Sequence, residues 1–381
     1  MAKNMNNDSV NLSDYSGKMP TKRRSRRVKG RAIINTLASL VLIFSIAMIS
    51  FTFILDMRPV AGAPVNDGYE EVPTSEHAGV SYILVTGLDV SASLTDIILI
   101  ACIDHEKNTM NLLQIPRDIF IGADITYGKI NGVYGEPRPG EKGIDALRRR
   151  INSTLGIPID HYVTFTLAGF RKIIDAVGGV PLNITQKDGL NVENHVEGTW
   201  IHLDPGMNTL DGIKAEGFMR KRYGYERDGY GLGDISRVQQ QRIFYAAVAE
   251  KMKDINLVQM LKIATTCYDD ITTSMSVNEM LSYAKEVKEI EMEQMHIETI
   301  PGQFATYNDI SYYSVHKQEY VNLYNEYFNP YGNQLMASNI GIQELHVILG
   351  EYEEESVVTN GGTLQDIMKA VEAKGKENHG D

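Results

Sequence analysis

The sequence predicts an α/β domain in which helices cover a buried sheet, with one membrane-spanning helix before it. Short β-branched apolar runs separated by turn residues begin at Val80 and indicate strands that are buried on both faces. Helical patterns then alternate with further strands, as in layered α/β domains. An uncharged apolar run over residues 32–55 precedes all of these elements.

The run over residues 32–55 is long enough to cross a bilayer, because a helix rises 1.5 Å per residue and the hydrocarbon core is roughly 30 Å thick. A buried core helix and a cleaved signal peptide are the alternatives. An A-x-A sequence at residues 61–63 resembles a cleavage site, but apolar cores of signal peptides span only about 7 to 15 residues. The basic segment, residues 1–31, favours a cytoplasmic N-terminus. We therefore expect an uncleaved single-pass anchor followed by an exported domain.

The composition excludes a generally basic protein. The 381 residues contain 49 acidic and 37 basic side chains, a formal net charge of −12. We expect no nucleic acid partner, because sequence-independent phosphate binding needs a basic surface.

The two cysteines, Cys102 and Cys267, do not define a disulfide framework, and the sequence leaves open whether they pair.

Strands dominate the first part of the exported chain. Residues 56–79 are rich in proline, glycine and acidic residues and are expected to be an extracytoplasmic linker. Apolar runs predict strands at 80–86, 96–103, 110–115, 162–166 and 180–184, and periodic apolar residues predict helices at 144–156 and 168–179.

The second half is more helical. A capping box formed by Ser276 and Glu279 is one of several helix-start signals. These signals predict helices at 210–222, 233–252 and 276–290, then a strand near 292–300 and a helix near 316–328. We expect the domain to span residues 80–350 and to end in an acidic, partly disordered tail, residues 351–381.

Common nucleotide, hydrolase and metalloprotease motifs do not occur in the sequence, and His195 and His202 lie in an acidic stretch that we interpret as a solvated loop. Asp89 and Asp96 lie at strand ends, where α/β folds collect ligands. Two such carboxylates could hold Mg²⁺, although each aspartate taken alone is more simply interpreted as a turn residue or a cap.

Three arginines indicate an anion site. Arg220 and Arg222 are two residues apart, so both can reach one anion only if the chain becomes extended there. Arg237 lies in the first turn of a predicted helix, where backbone amides and a guanidinium together favour a phosphate group.

A series of segments occurs in an order that matches a known family. They are VTGLD, LTDIILIACID, LLQIPRD, KIN, GIPIDHYVTF, FRKIIDAVGGV, LDGIKAEGFMRKR and GDISRVQQQ, within about residues 80–300. The chain resembles the LytR-CpsA-Psr family of bacterial cell-envelope proteins. The resemblance implies an α-β-α sandwich with a central mixed sheet that encloses an apolar channel for a polyprenyl chain. It also implies transfer of a glycopolymer from a polyprenyl-pyrophosphate carrier to peptidoglycan.

The same resemblance assigns roles to individual residues. Asp89 and Asp96 would hold Mg²⁺, and one of them could accept the proton of the acceptor hydroxyl. Phosphoryl transfer depends mainly on positioning and on neutralisation of charge, which a cluster of cations provides. The residues expected to bind the pyrophosphate are Arg117, Lys129, Arg220, Arg222, Arg237 and Gln241, and Arg117, Arg220 and Arg222 are also expected to be catalytic.

The sequence departs from the family pattern at three positions. Ser91, Leu94 and Gln240 occupy places where the family usually has arginine. Each lost donor could reduce the rate by about 10² to 10³. Two hypotheses therefore stand: a membrane-anchored phosphotransferase, or a catalytically weak polyprenyl-phosphate-binding or regulatory member of the same family.

Overall fold

The computed structural model describes residues 79–122, 125–221, 233–267, 270–331, 334–351 and 361–379. The predicted cytoplasmic segment, the membrane segment at 32–55 and nearly all of the linker lie outside these ranges. Within them, no helix has the length and apolarity needed to cross a membrane.

A seven-stranded mixed sheet forms the centre of the domain, with strand order β13-β10-β3-β2-β1-β4-β9. In chain order the strands are β1 Val80–Leu88, β2 Thr95–Asp104, β3 Thr109–Gln114, β4 His161–Phe165, β5 Val180–Ile184, β6 Leu190–Asn194, β7 Thr199–Leu203, β8 Gly206–Leu210, β9 Ile271–Thr273, β10 Met295–Thr299, β11 Gly302–Tyr307, β12 Ile310–Val315 and β13 Gly362–Thr363. Strands β1 to β3 are antiparallel neighbours, whereas β4 runs parallel to β1 and β10 runs parallel to β3.

Helices cover the sheet. They are α1 Gly143–Leu155, α2 Leu167–Ala176, α3 Gly212–Arg220, α4 Gly233–Lys253, α5 Leu257–Thr266, α6 Val277–Glu289, α7 Lys317–Tyr327, α8 Leu345–Leu349 and α9 Leu364–His379. The Ser276 capping box is present at the start of α6. The side chain of Asp211 caps α3 by accepting a hydrogen bond from the Lys214 amide.

Strand β2 shows why its sequence is almost continuously apolar. Ile98, Ile100 and Cys102 enter one hydrophobic cluster, which also contains residues of α1 and α7. The alternate residues, such as Leu99 and Ile103, enter a second cluster with residues of α4 and α9. Successive strand residues point to opposite faces, so both faces of the sheet are buried, as predicted.

Residues 361–379 of the tail are ordered, although the sequence predicted partial disorder over residues 351–381. Residues 361–379 form β13, which pairs with β10, and then α9. Apolar side chains follow a helical spacing along α9, with Leu364 fully buried and Val371 nearly so. Burial of this stripe explains the order despite the acidic composition. The folded domain therefore extends past the expected boundary at residue 350.

The stretch around His195 and His202 is also more regular than predicted. It forms the antiparallel hairpin β6–β7, with Leu190, Val192 and Leu203 buried on its inner side.

Both cysteines are free and buried, so they do not pair. Burial raises the pKa of the Cys102 thiol to about 12, which makes it an inert core residue.

Candidate functional site

A cavity of about 190 Å³ lies where the end of β1 and the start of β2 meet α2, α3 and α4. We call it the first cavity. Its lining combines charged groups with an apolar wall that includes Phe165, Phe170 and Met219. The polar and charged side chains of the lining are Asp96, Arg117, His195, Glu216, Arg220, Arg237 and Gln241.

A β-bulge places Asp96 in this cavity. Gly87 pairs with Ile97 and Leu88 pairs with Thr95, so Asp96 has no partner across the ladder. Bulges bend a strand locally and change the direction of a side chain, and they are frequent beside active sites. The carboxylate of Asp96 is thereby set next to Arg117, whose Nη1 donates to Asp96 Oδ1.

Arg117 connects the cavity to a line of alternating charges. Its Nε lies 3.7 Å from Asp118 Oδ2, and Lys129 Nζ donates to Asp118 Oδ1 at 2.8 Å. Lys129 also lies 5.5 Å from the centre of the Tyr312 ring. Lys129 does not line the cavity, and its contact with pyrophosphate stays a prediction. The Asp118 carboxylate contacts both Lys129 and Arg117, and of these two cations only Arg117 lines the cavity.

Glu216 holds Arg220 in place. Its carboxylate is only 3% exposed and accepts from Arg220 Nη1 at 2.9 Å and from Nη1 of Arg171. A buried carboxylate between two guanidiniums fixes their orientation through charge-assisted hydrogen bonds. The sequence reasoning missed Glu216, although its spacing of four residues before Arg220 on a helix was a usable signal.

Helix α3 ends at Arg220, and Lys221 has extended backbone angles. The chain thus becomes extended where the two-residue spacing of Arg220 and Arg222 required it. Arg222 itself lies outside the described residues.

Helix α4 supplies Arg237 and Gln241, which are one turn apart and both buried. Gln241 Oε1 accepts from Gln114 Nε2 at 2.7 Å, which ties this helix to the end of β3. Gln240 points elsewhere. Its Nε2 donates to the Phe218 carbonyl at 2.8 Å.

Gln240 lines a second, larger cavity of about 620 Å³ between α4, β5 and α9, which we call the second cavity. Arg242 lines it as well, and its Nη2 donates to Thr299 Oγ1 at 2.7 Å. The position of Gln240 therefore corrects the inference that its substitution removes a cation from the anion site. The other lining residues are Asn183, Ile184, Thr185, Gln186, Phe218, Gln239, Ile243, Ile367, Ala370, Val371 and Lys374.

Asp89 is held by its own turn instead of lining the first cavity. Its carboxylate accepts from Ser91 Oγ at 2.7 Å and from the amides of Ser93 and Leu94 at 3.1 and 3.0 Å. Burial alone would raise the pKa of Asp89, but these hydrogen bonds outweigh it and hold the pKa below its ordinary value. Ser91 is thus a hydrogen-bond partner of Asp89.

The predicted residues therefore separate into three groups. The first cavity brings together Asp96, Arg117, Arg220, Arg237 and Gln241. Lys129 and Asp89 lie close to this set in the fold but do not line the cavity, and Arg222 is not described. The sequence reasoning missed Glu216 and interpreted His195 as a solvated loop residue, although it lines the cavity.

The carboxylates at this end of the sheet can be compared with the needs of Mg²⁺. In the described part of the chain, no group of three or more His, Cys, Asp and Glu residues could hold a metal. Mg²⁺, however, is commonly bound through one or two carboxylates together with substrate phosphates. Asp96, with Asp89 at the neighbouring strand end, fits that donor set, and Asp96 is the better placed of the two.

A mixed sheet whose strand ends meet a cavity of arginines defines an α/β protein suited to a phosphate-containing anion. The model of the LytR_cpsA_psr family matches residues 61–329. The chain belongs to the LytR_cpsA_psr family, which confirms the resemblance seen in its motifs.

Relatives and solved structures agree with this assignment. The polyisoprenyl-teichoic acid–peptidoglycan teichoic acid transferase TagU of Bacillus cereus is 28% identical over 251 residues, which cover 64% of this chain and 76% of TagU. The regulatory protein MsrR of Staphylococcus aureus is 30% identical over 191 residues, 48% of this chain and 52% of MsrR, so the match spans about half of that relative. The crystal structure of B. subtilis TagV shares the fold, with a TM-score of 0.55 and 22% identity over 66% of this chain and 97% of TagV.

Proposed function

We propose that this protein is a membrane-anchored, extracytoplasmic phosphotransferase that moves a glycopolymer from a polyprenyl-pyrophosphate carrier to peptidoglycan. The observation that carries the proposal is the convergence of Arg117, Arg220 and Arg237 on one cavity that also holds a carboxylate. Family membership and the similarity to TagU, a teichoic acid transferase, support it. The anchor would be residues 32–55, with the N-terminus in the cytoplasm.

The residues of the cavity have complementary tasks in such a transfer. Arg117, Arg220 and Arg237 bind the pyrophosphate oxygens and neutralise the charge that develops on them. The apolar wall at Phe165 and Phe170 accommodates the start of the polyprenyl chain.

The reaction exchanges one phosphorus–oxygen bond for another. The acceptor hydroxyl attacks the phosphorus that carries the glycan, a phosphodiester forms, and the bond to the second phosphate breaks, so that polyprenyl phosphate leaves. The Asp96 carboxylate accepts the proton of the attacking hydroxyl. When bound at Asp96 and Asp89, Mg²⁺ would add positive charge beside the phosphate oxygens.

The test is cleavage of a polyprenyl-pyrophosphate-linked glycan by the purified full chain in detergent with Mg²⁺. Arg220→Ala should lower the rate by about 10² to 10³, because it removes a charge-assisted donor from the developing charge. Lys214→Ala is the matched control, since Lys214 is a cation on the same helix whose partner is the capping Asp211. Equal rates for wild type and Arg220→Ala would contradict the proposal.

The alternative, a catalytically weak polyprenyl-phosphate-binding or regulatory protein, is favoured by Ser91 and Leu94, which both lie in the exposed turn beside the cavity. The name of MsrR is consistent with a regulatory relative. Under this alternative, the substitution Leu94→Arg should raise a low turnover at least tenfold, whereas Gln240→Arg, which faces the second cavity, should not. Efficient turnover by the wild-type chain would exclude it.

A further inference from the structure

The outward side of the β6–β7 hairpin carries a compact set of aromatic and polar side chains. Glu193 is paired directly with Trp200, and Asn191 is paired with His202. Directly opposed residues, and residues two apart on a strand, share one side of a sheet. These four side chains therefore form one surface, which we call the hairpin face. His202 Nδ1 and Asn191 Oδ1 are hydrogen bonded at 2.8 Å.

The hairpin face rests on a firm base. The inner side of the hairpin buries Leu190, Val192 and Leu203 in a cluster that contains Phe218 and Met219 of α3. Helix α3 approaches the hairpin so closely that a Cβ at Gly217 would lie 2.5 Å from the Glu193 carbonyl oxygen. The hairpin is thus packed on the same helix that carries Arg220.

Trp200 is the main feature of this surface. It is 65% exposed and is the only tryptophan of the chain. Lys221 Nζ lies 5.2 Å from the centre of its ring, a cation–π contact that limits the freedom of the indole. Lys221 follows Arg220 directly in the chain, so this contact lies at the edge of the first cavity.

The hairpin face is continuous with the first cavity. Glu193 Oε1 lies 3.3 Å from Nδ1 of His195. His195 lines the first cavity, and Glu193 is the direct partner of Trp200. A chain molecule lying on Trp200 could therefore place its next unit at the cavity entrance.

We propose that the hairpin face binds the glycan strand of the peptidoglycan acceptor; this inference rests on the proposed function. An indole offers a flat apolar surface on which the C–H groups of a pyranose ring can pack. Carboxylate, amide and imidazole groups around it can exchange hydrogen bonds with hydroxyl and N-acetyl groups. Glu193, Asn191 and His202 supply these groups on the same side of the hairpin.

Charge favours a glycan without phosphates over two other occupants. The side chains of Glu193 and Asp204 are 43% and 88% exposed, and Glu197 is exposed as well. These carboxylates repel a polyanion, so they disfavour both a phosphate-rich glycopolymer and the surface of an anionic membrane. The single lysine over the Trp200 ring, Lys221, supplies too little positive charge to offset these carboxylates.

The experiment uses the emission of Trp200 in the full chain in detergent, because no other tryptophan contributes. Oligosaccharides of N-acetylglucosamine, which carry N-acetyl groups and no charge, should change this emission saturably. Trp200→Ala should weaken co-sedimentation with teichoic-acid-free peptidoglycan about tenfold, and Trp200→Phe should weaken it less. Val258→Ala, which removes an exposed apolar side chain on α5, should leave the co-sedimentation unchanged.

Several outcomes would overturn the inference. One is equal sedimentation of wild type and Trp200→Ala. Another is an emission change with anionic vesicles or phosphorylated glycopolymer but not with oligosaccharides of N-acetylglucosamine. Cleavage of the polyprenyl-pyrophosphate-linked glycan in the absence of peptidoglycan tests the proposed function independently of the hairpin face. If the hairpin face alone is wrong, Arg220→Ala still abolishes donor cleavage. If the proposed transferase function is wrong, no cleavage is seen even where Trp200-dependent glycan binding is present.

Discussion

The two cavities draw on the same helix and differ in chemistry. Helix α4 gives Arg237 and Gln241 to the first cavity, and Gln240 and Arg242 to the second. The first is the smaller, at about 190 Å³ against about 620 Å³, yet it contains carboxylates as well as arginines. Among the described residues that line the second cavity, none is acidic. The convergence of charged groups, rather than volume, thus distinguishes the candidate site.

The largest expected contrast between the two cavities is in turnover. Arg117→Ala removes a guanidinium from the first cavity and should lower donor cleavage by about 10² to 10³. Lys374→Ala removes a cation from the second cavity and should change it less than about twofold. Steady-state cleavage rates of the two variants, measured on folded protein, test the contrast. Comparable losses in both variants would show that the second cavity takes part in the reaction.

The next contrast concerns stability. Leu364→Ala removes a fully buried side chain from the helix that closes the second cavity. It should lower the free energy of unfolding by about 3 kcal/mol, the usual cost of such a deletion. Urea unfolding provides the measurement, and Glu372→Ala on the exposed side of α9 is the control. An unchanged unfolding midpoint for Leu364→Ala would mean that α9 does not belong to the cooperative unit.

The smallest effect is a pH dependence in the turn beside the first cavity. The folded-state pKa of Asp89 is lowered, so its hydrogen bonds contribute stability above the unfolded-state pKa, and this contribution is lost as the pH falls through the folded value. Asp89→Asn should therefore cost about 1 kcal/mol at neutral pH and nothing in strong acid. Urea midpoints at several pH values test this, and a cost that persists in acid would contradict it.

The central strands were predictable because burial on both faces produces almost continuous apolar runs. The hairpin β6–β7 was not recognised, although LNVEN alternates apolar and polar residues with the period of a strand. Its polar outward side dominated the composition. The tail helix was missed for the same reason. Leu364, Ile367, Met368 and Val371 have helical spacing, but the acidic average of the segment concealed it.

The residues of the candidate site were predictable from family motifs more than from the spacing of charged residues along the chain. Motifs identified Arg117, Arg220 and Arg237, which lie far apart in the chain and meet only in the fold. They could not show that Gln240 faces the second cavity, since this depends on how α4 is rotated against its neighbours. The motifs also could not show that a β-bulge leaves Asp96 without a partner on β1, because a bulge depends on the register of the two strands.

The ends of the central sheet have a consequence for how the protein behaves in solution. Both edge strands are very short: β9 has three residues and β13 has two. Short edges offer few unpaired backbone groups to another chain, which protects a sheet against aggregation. Removing the residues after Gly350 would take away β13 and α9 and leave the five-residue strand β10 at the edge. Shortened forms of this protein should therefore associate through β10, and production of the domain should retain the C-terminal helix.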